Sequence, residues 1–365
     1  MYIVITCSII AIFLTYLDTR KILKNGMFWG FCLVTMLGCI HYNYGNDYEV
    51  YETWFKENTS FAFHFNDLFD GTYNWAPGWV MLNHLFKKLG GFFGLVIFIN
   101  ILQNFIYYKS IKDYVPDRWR VLAVSIYLLS QSLYLLNFSM MRQGFAVSIF
   151  LLAWSFIKKR DFLKALCIIF VASLFHSSAQ ILLPFAFCGL IPQNKGKLVA
   201  GIMFFTFIVL YANRDFLQSI FNQFIVIDKL SSTESLTYYA NDELQDRSYG
   251  LGFFLNLLPF FVGLYMLYFQ QIESQNIPLI ILGLFGFLIA PFGNILTILL
   301  RFSYYSSAYQ VICIPYIYSQ IKNEKIRYVF VTLYCLMLVY GYWHFFMSPV
   351  WSRAYSTFHT IFEVI

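Results

Sequence analysis

The sequence predicts an all-α, polytopic integral membrane protein, and three observations carry that prediction. Of the 365 residues, 59% are apolar and only 12% are charged, against about 25% charged in a typical soluble domain. Mean hydropathy is +0.61. The apolar residues also fall into successive stretches approaching the ~20 residues that cross a hydrocarbon layer.

The expected spans are 1–17, 27–42, 91–108, 120–138, 143–157, 162–175, 176–191, 198–213, 250–269, 278–298, 302–320 and 327–346. That makes about twelve transmembrane helices, within a range of roughly ten to thirteen. The first stretch has neither a basic n-region nor a small-residue cleavage site, so it reads as a retained span and not as a signal peptide. Residues 76–90 are short and carry Lys87 and Lys88, which predicts a re-entrant or interfacial helix. As one helix, 162–191 would be about 45 Å long, too long for one upright pass and short for two. We place a break near His176. An even number of spans puts both termini on one side.

The loops then sort by charge. Arg20, Lys21 and Lys24; Lys109, Lys112, Arg118 and Arg120; Lys158, Lys159, Arg160 and Lys164; Lys195 and Lys197; and Lys322, Lys325 and Arg327 all fall on one face, which the positive-inside rule makes cytoplasmic. The opposite face receives two long loops, 43–75 and 213–249, with most of the acidic residues. The second is expected to be partly helical, because Phe216, Leu217, Ile220, Phe221 and Phe224 recur with the spacing of an amphipathic surface helix over 215–229. No repeat or low-complexity linker divides the chain, so 1–365 reads as a single membrane domain. The net charge of +6 is scattered in short loops and does not indicate nucleic-acid binding. Cys7, Cys32, Cys39, Cys167, Cys188, Cys313 and Cys335 sit inside apolar stretches without metal-ligand spacing, and small buried hydrophobes are the default reading.

Polar residues within this apolar chain carry the functional signal. A charge at the bilayer centre costs about 2.5–3.5 kcal/mol on insertion scales, so such residues face cavities and mark substrate paths. Arg142, in Met140-Met141-Arg142-Gln143-Gly144, opens a span from the outer face. His176, Arg301 and Asp47 reach the same level from three other parts of the chain. Two arginines suit a phosphate or diphosphate, because the planar guanidinium bonds oxygens bidentately and stays charged; a snorkelling side chain is the alternative, more so for Arg301. His176 or Asp47, the latter near Glu49 and Glu52, offers a general base. Tyr44, Tyr48, Tyr51 and Trp54 alternate along one segment and suit either a sugar groove or interface anchoring. The sequence contains no P-loop, GxSxG or HExxH motif. A phosphate-bearing donor met from the outer face is then expected to be lipid-linked.

These segments resemble, in order, the EpsG-like family of bacterial polysaccharide polymerases, relatives of the Wzy-type O-antigen polymerases. The matching pieces are Tyr44-Gly45-Asn46-Asp47-Tyr48-Glu49-Val50-Tyr51, Met141-Arg142-Gln143-Gly144-Phe145-Ala146, Phe175-His176-Ser177-Ser178-Ala179 before Leu183-Pro184, Arg301-Phe302-Ser303-Tyr304-Tyr305 and Arg353-Ala354-Tyr355. The first piece departs from the family in having His41 and Asn43 where members often carry arginine. The resemblance implies an enzyme of the bacterial inner membrane, active on its periplasmic face. It would polymerise undecaprenyl-diphosphate-linked repeat units by metal-independent glycosyl transfer, without a cofactor. Its partners would be the lipid-linked donor and acceptor and membrane lipid, with a chain-length regulator and a flippase beside it. The catalytic set expected is His176, Asp47 and Arg142. Arg142, Gln143, Arg301, Tyr48, Tyr51, Ser177 and Tyr305 would bind substrate. The rival classes are a flippase for the lipid-linked unit, which needs a polar path to both faces, and a ligase or acyltransferase.

Overall fold

The computed structural model describes residues 1–60, 63–68, 70, 72–192, 195–213, 251–269, 272–294 and 297–363. The outer loop expected at 213–249, with the amphipathic segment at 215–229, lies outside the described residues except for Asn213. Helices α1 (Tyr2–Thr19), α5 (Gly91–Tyr114) and α15 (Glu324–Met347) are long and apolar enough to cross a membrane. Shorter apolar helices include α2 (Gly26–Ile40), α10 (Phe162–Ser173), a 3-10 segment (Ser177–Leu190) and α11 (Gly196–Ala212). They also include the apolar parts of α12 (Leu251–Phe269) and of α13 (Ile277–Ile289) with the turn after it. Ile9 and Phe13 on α1, Ile202 and Phe205 on α11, and Leu336 and Tyr340 on α15 are exposed. Large side chains presented outward from apolar helices fit lipid and not water. The chain is an all-α membrane protein.

Each basic cluster falls at a turn or a helix end. Arg20, Lys21 and Lys24 lie between α1 and α2, Lys159 and Arg160 between α9 (Trp154–Lys158) and α10, and Lys322 between α14 (Thr297–Ser319) and α15. Two expected spans are broken. The stretch 120–138 stops as α6 (Arg120–Leu129), turns through Ser130, where its hydroxyl meets that of Ser132 at 2.9 Å, and resumes as the single turn α7 (Leu136–Ser139). The stretch 143–157 divides at Ala153 into α8 (Met141–Leu152) and α9. The break near His176 is present: its extended backbone (φ −150°, ψ 120°) separates α10 from the 3-10 segment, and the two pack side by side. Residues 76–90 form α4 (Pro77–Leu89), which buries Trp79, Val80, Asn83 and His84. The backbone N–H groups of Gly78 and Trp79 donate to Leu174 O (2.7 and 3.2 Å), pinning the start of α4 to the turn that carries His176. The cysteines are less uniform than expected: Cys313 is buried, but Cys32 and Cys167 are exposed.

The two ends of the described chain meet beside the loop 43–75, which contains α3 (Tyr48–Asn58). The Met1 amine donates to Ser356 O at 3.0 Å, and a short strand β1 (His41–Tyr42) pairs antiparallel with β2 (His359–Thr360). The connection from β1 to α3 passes Gly45 at φ +127°. A Cβ there would lie 2.6 Å from Phe138 O and 2.8 Å from Ser139 Cα, so both sterics and backbone require glycine. Gly45→Ala is expected to cost roughly 1–3 kcal/mol of stability and to displace Asp47, two residues on. Thermal unfolding of the detergent-purified variant checks this; an unchanged midpoint would show that the loop relaxes freely.

Candidate active site

Four elements deliver the polar residues to one place. Asp47 immediately precedes α3, Arg142 lies in the first turn of α8, His176 in the turn after α10, and Arg301 in the second turn of α14. Both arginines act electrostatically on both titratable groups. Burial pushes the Asp47 carboxyl up from the usual carboxylate range, and the charge of Arg301, then that of Arg142, pulls it back. Burial pushes the His176 imidazole down to about 3, and Arg142 and Arg301 push the same way. A cation beside a base stabilises the anion and disfavours the imidazolium, which is the pattern seen.

Arg142 is held by aromatic rings. Its guanidinium carbon sits 4.3 Å from the Trp75 ring centroid and 5.9 Å from that of Tyr51. Trp75 also stacks on Trp54 at 4.4 Å with 15° between the planes. The result is a guanidinium capping a pair of indoles, an arrangement that fixes the plane of the charge and contributes about 0.5–2 kcal/mol. Tyr51 packs its edge against Trp75 and tilts onto Trp79. Burial raises its phenol, while the charge of Arg142 and a hydrogen bond to it lower it. Gln143, 1% exposed, donates from Nε2 to Arg301 O at 2.9 Å, locking α8 to α14 at this level.

The His176 ring has a defined tautomer. The Ser178 backbone N–H donates to Nδ1 (3.3 Å), so Nδ1 carries the lone pair. The Ser178 hydroxyl lies 2.7 Å from the same nitrogen and 2.9 Å from the Tyr305 hydroxyl. Donors therefore run from Tyr305 to Ser178 to His176, and the neutral ring keeps its proton on Nε2. In this form His176 donates at Nε2 and has no basic nitrogen left to offer.

The other expected residues are placed as follows. Tyr305 is fully buried and reaches the site through Ser178. Ser177, beside it, is exposed, and the hydrogen bonds described run through Ser178. Tyr48 is fully buried among His41, Tyr42 and Phe92, and Tyr44 among Phe138, Tyr355 and Phe358. Both rings hold the loop from beneath and present no surface to a sugar. Glu49 accepts from Asn43, and Glu52 pairs with Lys56 at 2.7 Å. Trp75 was not singled out by the sequence, and Ser178 stood out only as a serine close to His176. Trp75 lies in a turn without periodicity, so nothing marked it. Ser178 had a readable signal: His176 is an N-cap, and an N-cap side chain takes the N–H two residues on.

A family model described as EpsG family matches residues 26–357 of the chain. No curated protein and no solved structure shows significant similarity to it.

Proposed function

Because the chain belongs to the EpsG family, whose role is that of a polysaccharide-polymerase-like glycosyltransferase, we propose that it polymerises undecaprenyl-diphosphate-linked repeat units on the periplasmic face of the inner membrane. The observation that carries this reading is the meeting of Arg142 and Arg301 around Asp47 and His176, from four separate elements. With the roughly twelve crossings expected from the sequence and the basic turns read as cytoplasmic, the meeting point lies at the outer level in this reading.

The acceptor hydroxyl oxygen bonds to the anomeric carbon of the donor glycan as the bond from that carbon to the lipid diphosphate breaks. The leaving diphosphate takes the electron pair, and Arg142 and Arg301 stabilise its charge without a metal. Asp47 takes the hydroxyl proton; of the two candidate bases it is the one whose basic form the neighbouring cations favour. His176, neutral, donates from Nε2 to a phosphate or sugar oxygen, with Tyr305 and Ser178 holding its tautomer. The Trp54–Trp75 pair orients Arg142 together with Tyr51, and Gln143 holds the backbone of Arg301, so these residues position the two arginines and do not touch the sugar. A chain-length regulator and a flippase supplying the lipid-linked unit are the partners this role requires.

Incubating the purified protein with lipid-linked repeat units tests the reading: a ladder of products supports polymerisation, one transfer indicates a ligase, and no product counts against both and leaves transport open. The pH profile tests the base. With Asp47 raised above the ~3.9 of a free aspartate, the rate falls as pH drops through that raised value. Arg301→Gln removes the largest pull toward the ionised form, so the acid limb moves to higher pH. An acid limb that His176→Gln abolishes and Asp47→Asn leaves in place would transfer the base role to His176.

A further inference from the structure

A general base must be held at a fixed spacing from the guanidiniums that support its ionised form, and the fold does this through the Asp47 backbone. Asp47 stands at the N-cap position of α3, yet its carboxylate makes no capping bond to that helix. Its carbonyl accepts from the Tyr51 N–H at 3.1 Å, and its own N–H donates to Ser139 Oγ at 3.4 Å. Both backbone groups of the residue are therefore engaged, one within α3 and the other across 92 residues of sequence.

Ser139 is fully buried at the end of α7, three residues before Arg142. Its hydroxyl also bonds to that of Tyr355. Because the Tyr355 hydroxyl gives its proton to Leu135 O at 2.8 Å, its oxygen accepts from Ser139. The bonds then run in one direction, from the Asp47 N–H through Ser139 and Tyr355 to Leu135, the residue that precedes α7. Each hydroxyl donates once and accepts once, which fixes its orientation in a buried site. The Gly45 backbone packs on Phe138 and Ser139 at the same place, so the connection from β1 to α3 rests on the end of α7.

We propose that Ser139 is a positioning residue for the glycosyl transfer, an inference that rests on Asp47 being the base. Its hydroxyl ties the Asp47 backbone to the segment that carries Arg142 and so sets the spacing between base and guanidinium. Alanine at this position would leave a buried N–H and a buried phenol oxygen without this partner. A misplacement of about 1 Å can cost 10²-fold in rate. The groups that act on the Asp47 carboxyl are Arg301 and Arg142, with Tyr51 from its own helix and Tyr355 beside it. Movement away from the two arginines weakens the pull toward the ionised form.

Ser139→Ala and Ser139→Cys test this in the full chain, the second nearly keeping the volume while offering only a weak sulfur acceptor. Hydrogen–deuterium exchange reads the anchor without reference to activity. The peptide containing Asp47 should exchange faster in both variants, and unchanged exchange would overturn the anchor. With lipid-linked repeat units, kcat should fall by about 10-fold or more, KM should stay near wild type, and the acid limb should move to higher pH. A loss that tracks only the amount of folded protein, with the limb unmoved, would reduce Ser139 to a structural residue and overturn the proposal. Asp47→Asn separates this from the reading beneath it. If Asp47→Asn removes the limb while Ser139→Ala keeps wild-type kcat and limb, the positioning role alone fails. If Asp47→Asn keeps both rate and limb, the base assignment fails and the positioning role falls with it.

Discussion

Arg142→Ala is expected to abolish polymer while leaving normal amounts of protein in the membrane. Removing one preorganised donor from a developing oxyanion costs about 10²–10³ in rate, or 2.7–4 kcal/mol. The loss here extends to the guanidinium stacked on Trp75 and to the charge that favours ionised Asp47. Arg142→Lys separates these contributions. Lysine keeps the charge but has neither the bidentate fork nor the planar face that lies on an indole. It should therefore recover little activity, and Trp75→Ala should resemble it more than it resembles wild type. The measurement is the chain-length ladder from lipid-linked units, normalised to protein in the membrane. Normal ladders from Arg142→Ala would remove this residue from the mechanism.

Tyr355→Ala is expected to be strongly destabilising although it lies outside the site. The ring is fully buried, 4.8 Å from Tyr44 and 4.9 Å from Phe345, and its hydroxyl donates to Leu135 O at 2.8 Å. Truncating a large buried aromatic costs about 3–5 kcal/mol. Tyr355→Phe removes only the hydroxyl and should cost about 1 kcal/mol. The effect should reach the active site because Tyr44, against which the ring packs, is three residues before Asp47. Thermal unfolding and polymer formation should fall together for the alanine variant. A stable, inactive Tyr355→Ala protein would instead point to a direct role for this residue in the reaction.

Much of the candidate site was legible. Arg142, Asp47, His176 and Arg301 stood out because a charged or titratable group in an apolar chain needs a reason, and these four do share one electrostatic neighbourhood. The aromatics were harder. Tyr48 and Tyr51 look alike in sequence, three positions apart on one helix, yet Tyr48 is sealed beneath the loop and Tyr51 touches Arg142. Ser177 and Ser178 differ by one residue, and the N-cap geometry of His176 turned Ser178 toward the ring.

By itself the sequence determined that this is a helical membrane protein, where its chain turns carry positive charge, and which residues are too polar for their surroundings. Those properties are local: they follow from composition and from runs of apolar residues along the chain. Tertiary structure alone decided the partners. Gln143 reaches Arg301 across 158 residues, and Ser178 reaches Tyr305 across 127; no period along the chain encodes such a pairing. The stack of Trp54, Trp75 and Arg142 has the same origin, since a ring in a turn and a guanidinium at a helix start meet only once the bundle has closed.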